Sequence, residues 1–241
     1  MCGRYGLFAE LDALAEQFDF DSSMMEDVYT PRWNIPPTTP VLTVQSAGAN
    51  TEGIYRPNTA SLLRWGMTGA RNPKSKGSGR PLFNARAETV HELPSFRRSF
   101  RERRCLIPAN GFYEWRKDAS GNRTPVWFHR EDDAPLAFAG IWRSERMADG
   151  DIHACAIITC AANDLAAPIH HRMPVILPPA DYEEWISADS EPSDLLALLQ
   201  PYEWREMAYH TVSSEVNRAA NNYPALTARA VQEAQIGFTG I

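Results

Sequence analysis

Long apolar runs are missing from this 241-residue chain: none approaches the roughly 20 apolar residues a membrane helix needs. Met1 to Phe20 carries Arg4, Glu10, Asp12 and Glu16 where a secretory signal would keep an uninterrupted apolar core, so a cytosolic protein without membrane contact is expected. Cysteine is scarce and unpatterned. Cys2, Cys105, Cys155 and Cys160 form neither a disulfide framework nor a CxxC pair for zinc, which leaves free thiols and no metal site as the expectation. Repeats and low-complexity tracts are lacking as well, which excludes a fibrous or disordered chain. No GxxxxGK[ST] phosphate loop occurs, and nothing calls for a cofactor.

What is present is an ordinary globular composition, 44% hydrophobic and 22% charged, with 18 Pro, 14 Gly and 7 Trp to supply turns and buried aromatics. A single domain over residues 1–241 is expected. The net charge of −6 hides an asymmetry. Arg56 to Arg104 holds twelve Lys or Arg against three Asp or Glu, so that stretch is +9 and the remainder −15.

Leu7, Phe8, Leu11, Leu14, Ala15 and Phe18 recur at helical spacing and predict a helix over 8–18. Short strands are predicted at Val41–Val44, Leu62–Trp65, Cys105–Ile107, Val126–Phe128, Leu136–Ala139 and Ala156–Thr159, and further helices at 181–186 and 193–200. Strands in the middle with helices at the margins read as α+β. Residues 69–80, GARNPKSKGSGR, form a basic Gly/Ser-rich connection expected to be mobile.

Cys2 is the residue with the most chemistry. A small second residue favours removal of Met1, and the mature chain 2–241 would then begin with cysteine. Its amine and thiol lie on adjacent carbons, so it could form an imine with an aldehyde and close a thiazolidine through sulfur. The free amine titrates at about 7.7–8.0 and the thiol at about 8.5, leaving nucleophile available near neutrality. A small buried cysteine is the plainer reading.

Other polar residues stand out against apolar surroundings. Asn84 and Arg86 alternate in a short predicted strand and share a face, where they could hold a ligand or merely cap and solvate. Glu114 faces away from Tyr113 and Trp115 on a predicted strand; a pocket there would raise its pKa, whereas a surface position would leave it a plain carboxylate. His170 lies in a loop between Pro168 and Pro174 and is a natural acid or base, although His171 is an equal claimant. Arg97, Arg98, Arg101, Arg103 and Arg104 crowd together, and on one helix 97, 101 and 104 would share a face that steers a polyanion or is simply solvated.

Taken in order, MCGR (1–4), RWNIPP (32–37), LRWGM (63–67), FNARAET (83–89), CLIPANGFYEW (105–115), AFAGIW (137–142), IITCAAN (157–163), IHHRMPVIL (169–177) and HTVSSEVNRAANN (210–222) resemble the SOS response-associated peptidase (SRAP) family along nearly the whole chain. The resemblance implies a single SRAP-like α+β domain, its central mostly antiparallel β-structure barrel- or sandwich-like and flanked by short helices. It implies covalent attachment to abasic sites in single-stranded DNA, with Cys2 as nucleophile and Asn84, Glu114 and His170 around it. Arg4, Arg86 and Arg172 would meet the DNA backbone, and Asn34 to Pro37 would line the groove. It also implies removal of Met1, a monomer without metal or cofactor, and nucleoid association when DNA is bound. Many members carry a Pro and a wedging Trp soon after the Trp-Gly of LRWGM; Thr68–Pro73 here reads TGARNP, so the wedge is expected to be absent or moved.

Two rival readings stay open from residues alone. Glutamine amidotransferases also begin Met-Cys-Gly and use the cysteine against an amide. A non-covalent single-strand binder could use Trp33, Trp65 and Trp115 as stacking platforms.

Overall fold

The computed structural model describes residues 2–47, 56–69, 80–147, 150–202 and 206–230. The chain forms β1 (Tyr5–Leu7), α1 (Leu11–Phe18), β2 (Arg32–Ile35), β3 (Pro40–Gln45), β4 (Thr59–Trp65), β5 (Asn84–Arg86), α2 (Arg97–Glu102), β6 (Arg104–Ala109), β7 (Gly111–Lys117), β8 (Arg123–Arg130), β9 (Leu136–Met147), β10 (Gly150–Ala161), β11 (Arg172–Pro174), β12 (Ile176–Leu177), α3 (Tyr182–Ile186), α4 (Pro192–Ala197) and β13 (Met207–Thr211). Each strand predicted from sequence falls inside one of these.

Five strands close on themselves. β3 pairs with β4, β4 with β10, β10 with β9, β9 with β6, and β6 back with β3; all are antiparallel except β4–β10. Closure removes the exposed edges of this sheet. β6 is buried along its whole length, which is why Cys105, Leu106 and Ile107 read as a continuous apolar run and not as an alternation. A second antiparallel sheet, ordered β13-β8-β7-β1-β2, packs beside this barrel.

Asn110 carries the chain from barrel to second sheet. Its Oδ1 accepts the backbone N–H groups of Phe8 and Ala9, and its own N–H donates to the Gly6 carbonyl at 2.8 Å. Gly111 must follow, because a Cβ there would lie 2.2 Å from the Phe128 carbonyl oxygen and 2.6 Å from the Trp127 ring. One sequence motif thus fixes how the two sheets meet.

The first helix is shorter than its periodicity predicts, beginning at Leu11 and not at residue 8. Leu7 belongs to β1, paired with β2, and the N–H groups of Phe8 and Ala9 are held by Asn110, so strand pairing overrides the helical spacing. The late helices are near their predicted places, α4 running 192–197 with Pro192 opening its first turn.

The shared arginine face is corrected. α2 ends at Glu102, and Arg104 is a buried strand residue whose guanidinium donates to the carbonyls of Phe100 (2.8 Å), Arg101 (2.5 Å), Trp185 (2.7 Å) and Ser187. It ties the ends of α2 and α3 to the barrel. Arg98 pairs with Glu102 and Arg103 lies over the Trp142 ring, so only Arg97 and Arg101 remain outward without such contacts among the described residues.

Most of the predicted basic connection, residues 70–79, lies outside the described residues. Its two ends are drawn together, with Met67 and Leu82 exchanging both backbone hydrogen bonds at 3.1 and 2.7 Å. Thr68, just after the Trp-Gly of LRWGM, joins a polar cluster. Its N–H and hydroxyl both donate to Glu145 at 2.7 Å, and Glu145 also accepts from Arg64 (2.6 Å) and Arg143 (2.8 Å). Among the described residues, no helix is long and apolar enough to cross a membrane.

Candidate active site

The N-terminal segment enters at the seam between the sheets. β1 lies between β2 and β7, and the Tyr113 N–H donates to the Arg4 carbonyl at 2.9 Å, so Cys2 is carried alongside the middle of β7, where Glu114 sits. From the other side, β5 runs parallel to β10 with Asn84 opposite Ile157. Asn84 Nδ2 donates to the Cys2 carbonyl at 2.7 Å. Residues 82 positions apart in sequence are thereby joined. Asn84 Oδ1 is buried and has no hydrogen-bond partner among the described residues.

Glu114 is 5% exposed, which removes the reading of a plain surface carboxylate. Burial pushes its pKa above the ordinary carboxylate value. His170 Nδ1 is 4.0 Å from Glu114 Oε1. Burial lowers the His170 pKa, favouring neutral imidazole near pH 7. His170 Nδ1 lies 3.0 Å from both the backbone nitrogen and the carbonyl oxygen of Arg172, so the backbone two residues on anchors the ring at this nitrogen. His171 stacks outside this ring, centroids 4.5 Å apart, and is exposed. Geometry therefore separates two histidines that the sequence left equivalent.

The Cys2 thiol is fully enclosed, and its pKa is driven far up by burial first and by the Glu114 charge second. The Glu114 charge is thus felt at the Cys2 side chain. The arrangement can hold a carbonyl of Cys2 while a carboxyl and an imidazole attend the same end of the chain. Among the described residues, no group of three or more His, Cys, Asp or Glu side chains gathers to hold a metal.

The residues assigned to the DNA backbone are differently disposed. Arg86 is exposed. Arg4 is half-buried, its Nη1 donating to Asn34 Oδ1 at 2.7 Å and to the Val216 carbonyl at 2.9 Å. Arg172 is engaged by Glu88 and Thr159. The Asn34 side chain is 2% exposed, and its amide donates to the carbonyls of Val216, Arg218 and Asn221 at 3.2, 3.1 and 2.8 Å. It fastens the 216–221 segment across the seam. Pro37 is half-buried at the end of the same stretch.

The stacking platforms are also redistributed. Trp65 is fully buried, with its indole N–H donating to the Phe83 carbonyl at 2.8 Å, so it is core and offers no face to a base. Trp33 stacks on Phe8 at 5.7 Å, and Trp115 donates to Asn217 Oδ1 at 2.7 Å. Sequence reasoning picked out Glu88 with Asn84 and Arg86 in FNARAET, but not Thr159 or Asn217. The alternation 84, 86, 88 was a signal for Glu88; the other two are placed by strand pairing and by Asn34, which no local pattern announces.

A closed barrel that brings Cys2 against an amide, with a carboxyl and an imidazole beside it, defines a class of protein built around its own first residues. The family model for SOS response associated peptidase (SRAP) matches residues 1–219, and the chain belongs to that family. It is 38% identical over 228 residues to the abasic site processing protein YoqW of Bacillus subtilis, covering 94% of this chain and 98% of the relative. It is 27% identical over 275 residues to the abasic site processing protein HMCES of Pongo abelii, covering 93% and 75% respectively. A crystal structure of a protein from Bacteroides thetaiotaomicron shares the fold, with a TM-score of 0.80 at 21% identity over 95% of this chain and all of that one. A second, from Bordetella bronchiseptica, has a TM-score of 0.71 at 28% identity over 88% of this chain and all of that one.

Proposed function

We propose that this protein processes abasic sites in single-stranded DNA by forming a covalent thiazolidine with the open-ring sugar through Cys2 of the mature chain. The observation that carries the reading is the Asn84 hydrogen bond to the Cys2 carbonyl beside Glu114 and His170. An amide fixing that carbonyl orients both nucleophilic atoms of the residue toward one carbon, which is worth more than raw reactivity in a slow condensation. The names of the relatives supply the substrate class.

In the first step His170 moves a proton in ring opening, which frees the C1′ aldehyde. The Cys2 amine adds to C1′ to give a carbinolamine. Loss of one water leaves an imine, with Glu114 as its protonated carboxyl donating to the departing hydroxyl. The S–H then adds across C=N, sulfur bonding to C1′ and the proton passing to nitrogen by way of the Glu114 carboxylate. The net change is aldehyde plus aminothiol to thiazolidine plus water. Because the thiol is buried with a raised pKa, its proton leaves as sulfur bonds and no standing thiolate is required.

The amine exists only once Met1 has been hydrolysed away, and we assign that cleavage to the same neighbourhood, autocatalytic in form. Phosphate contacts by Arg86, Arg172 and Arg4 would hold the strand without reading its sequence. Amidotransferase chemistry would also begin at Cys2, but it gives no reason for an aldehyde adduct. The test is intact mass spectrometry of the purified protein before and after mixing with an oligonucleotide bearing one abasic site. The expected result is a chain lacking Met1 that gains the mass of the oligonucleotide less one water and survives denaturation. An unchanged protein mass after mixing overturns the covalent reading.

A further inference from the structure

The row of residues that begins at Asn84 runs past Arg86 to Glu88, with Ala85 and Ala87 buried between the outward positions. Opposite this row, Arg172 sends its side chain from β11 across β10. Nη2 donates to the Thr159 carbonyl at 2.5 Å and lies 3.4 Å from the Thr159 hydroxyl. The terminal nitrogens also grip Glu88 in a fork, Nη2 to Oε2 at 2.9 Å and Nη1 to Oε1. Nε is buried without a partner among the described residues. A guanidinium has five N–H groups: two are on Glu88, one is on Thr159, one is enclosed, and a single Nη1 hydrogen remains. The forked edge suited to a phosphate is filled by a carboxylate of this chain.

Exposure says which group a ligand meets first. The Glu88 side chain is 53% exposed and that of Arg172 only 12%. An anion approaching Arg172 therefore encounters a carboxylate before it reaches the guanidinium. A half-exposed pair of this kind adds little to folding, so the fold does not need it kept closed.

We propose that Glu88 is a built-in rival of the DNA phosphate for Arg172, so that a bound strand must take the guanidinium from a carboxylate already seated on it. This rests on the reading of Arg172 as a backbone contact in single-strand binding. The rival lowers affinity for any strand that merely passes, because like charges are set side by side until Glu88 swings away. It also alters the salt dependence: replacing one anion by another at Arg172 releases no net counterion, whereas a neutral side chain at position 88 leaves Arg172 to neutralise a phosphate itself.

The experiment compares wild type, Glu88→Gln and Glu88→Ala by fluorescence anisotropy on a short undamaged thymidine oligonucleotide over a series of salt concentrations. Both variants should bind about two- to fivefold tighter at low salt, the weight of one half-exposed ion pair. The slope of log K against log salt should steepen by about 0.7, the increment for one phosphate on a single strand. In an Arg172→Ala background the gain should vanish. Equal or weaker binding by folded variants, or a gain that persists without Arg172, overturns the proposal. Adduct formation is scored separately by mass on an abasic oligonucleotide. A wild type that binds single strands but forms no adduct defeats the covalent reading and leaves the salt slopes to decide Glu88; no single-strand binding by any of these proteins defeats both.

Discussion

The barrel interior and the seam beside it are equally dry but chemically unlike. Cys105 and Cys155 lie on the sheet face that carries Ile107, Phe138 and Trp65, all fully buried; burial is the largest cause of their raised pKa values. Cys2 is just as enclosed, yet the Glu114 charge also acts on its thiol and its carbonyl is held by Asn84. Burial of a thiol by itself makes an inert, small apolar group. What distinguishes the seam is a concentration of buried polar groups contributed by both sheets, which an apolar interior would exclude unless each had a partner.

The sharpest way to break this comparison is at the first residue. An extension that keeps Met1 should abolish adduct formation altogether, and Cys2→Ala should allow a borohydride-trappable imine through its new N-terminal amine but no heat-stable ring. Cys155→Ala should leave both readouts intact, as gels run with and without reduction will report. An adduct formed at wild-type level by Cys2→Ala without reductant would remove the special status of the seam.

Next come the groups that attend Cys2. Glu114→Gln or His170→Ala should slow adduct formation by about 10²-fold or more, the usual weight of a positioned acid or base. Salt-dependent binding to single strands should stay near wild type. If binding falls as far as the rate, these residues support the strand and not the chemistry.

A third prediction probes the barrel side. Arg104→Ala should lower stability by roughly 3 kcal/mol, since a guanidinium serving four carbonyls is lost from a buried site. Denaturant melts measure it, and the adduct rate per folded molecule should not change. A variant as stable as wild type would show those carbonyls to be satisfied without it.

The smallest effect separates the two regions by pH. The Glu114 pKa is raised in the folded state, so ionising it opposes folding: the cost is nil below the unfolded value, near 4.3, where both states are protonated, grows as pH rises to the folded value and levels off above it. Glu114→Gln should therefore melt higher than wild type at pH 7, with the gain shrinking as pH falls below about 4. A gain of the same size at both pH values would mean that charge burial is not its source.

The sequence by itself determined the central strands, β3 to β10, because alternation, apolar runs and turn residues act over a few positions and need no distant partner, whereas β1, β2 and β11 to β13 came only from pairing. It also determined which residue types carry chemistry: an N-terminal cysteine, an amide and an arginine sharing one strand face, a carboxylate amid aromatics and an imidazole between prolines. Only the tertiary structure decided which of these meet. β5 had to lie parallel to β10, and β7 against β1, before Asn84 reached Cys2 and Glu114 came within 4.0 Å of His170. The same long-range pairing turned Asn34 and Arg104 inward and seated Glu88 on Arg172. Local pattern sets the direction of a side chain relative to its own strand, but whether that direction is solvent, core or another charge depends on segments tens of residues away.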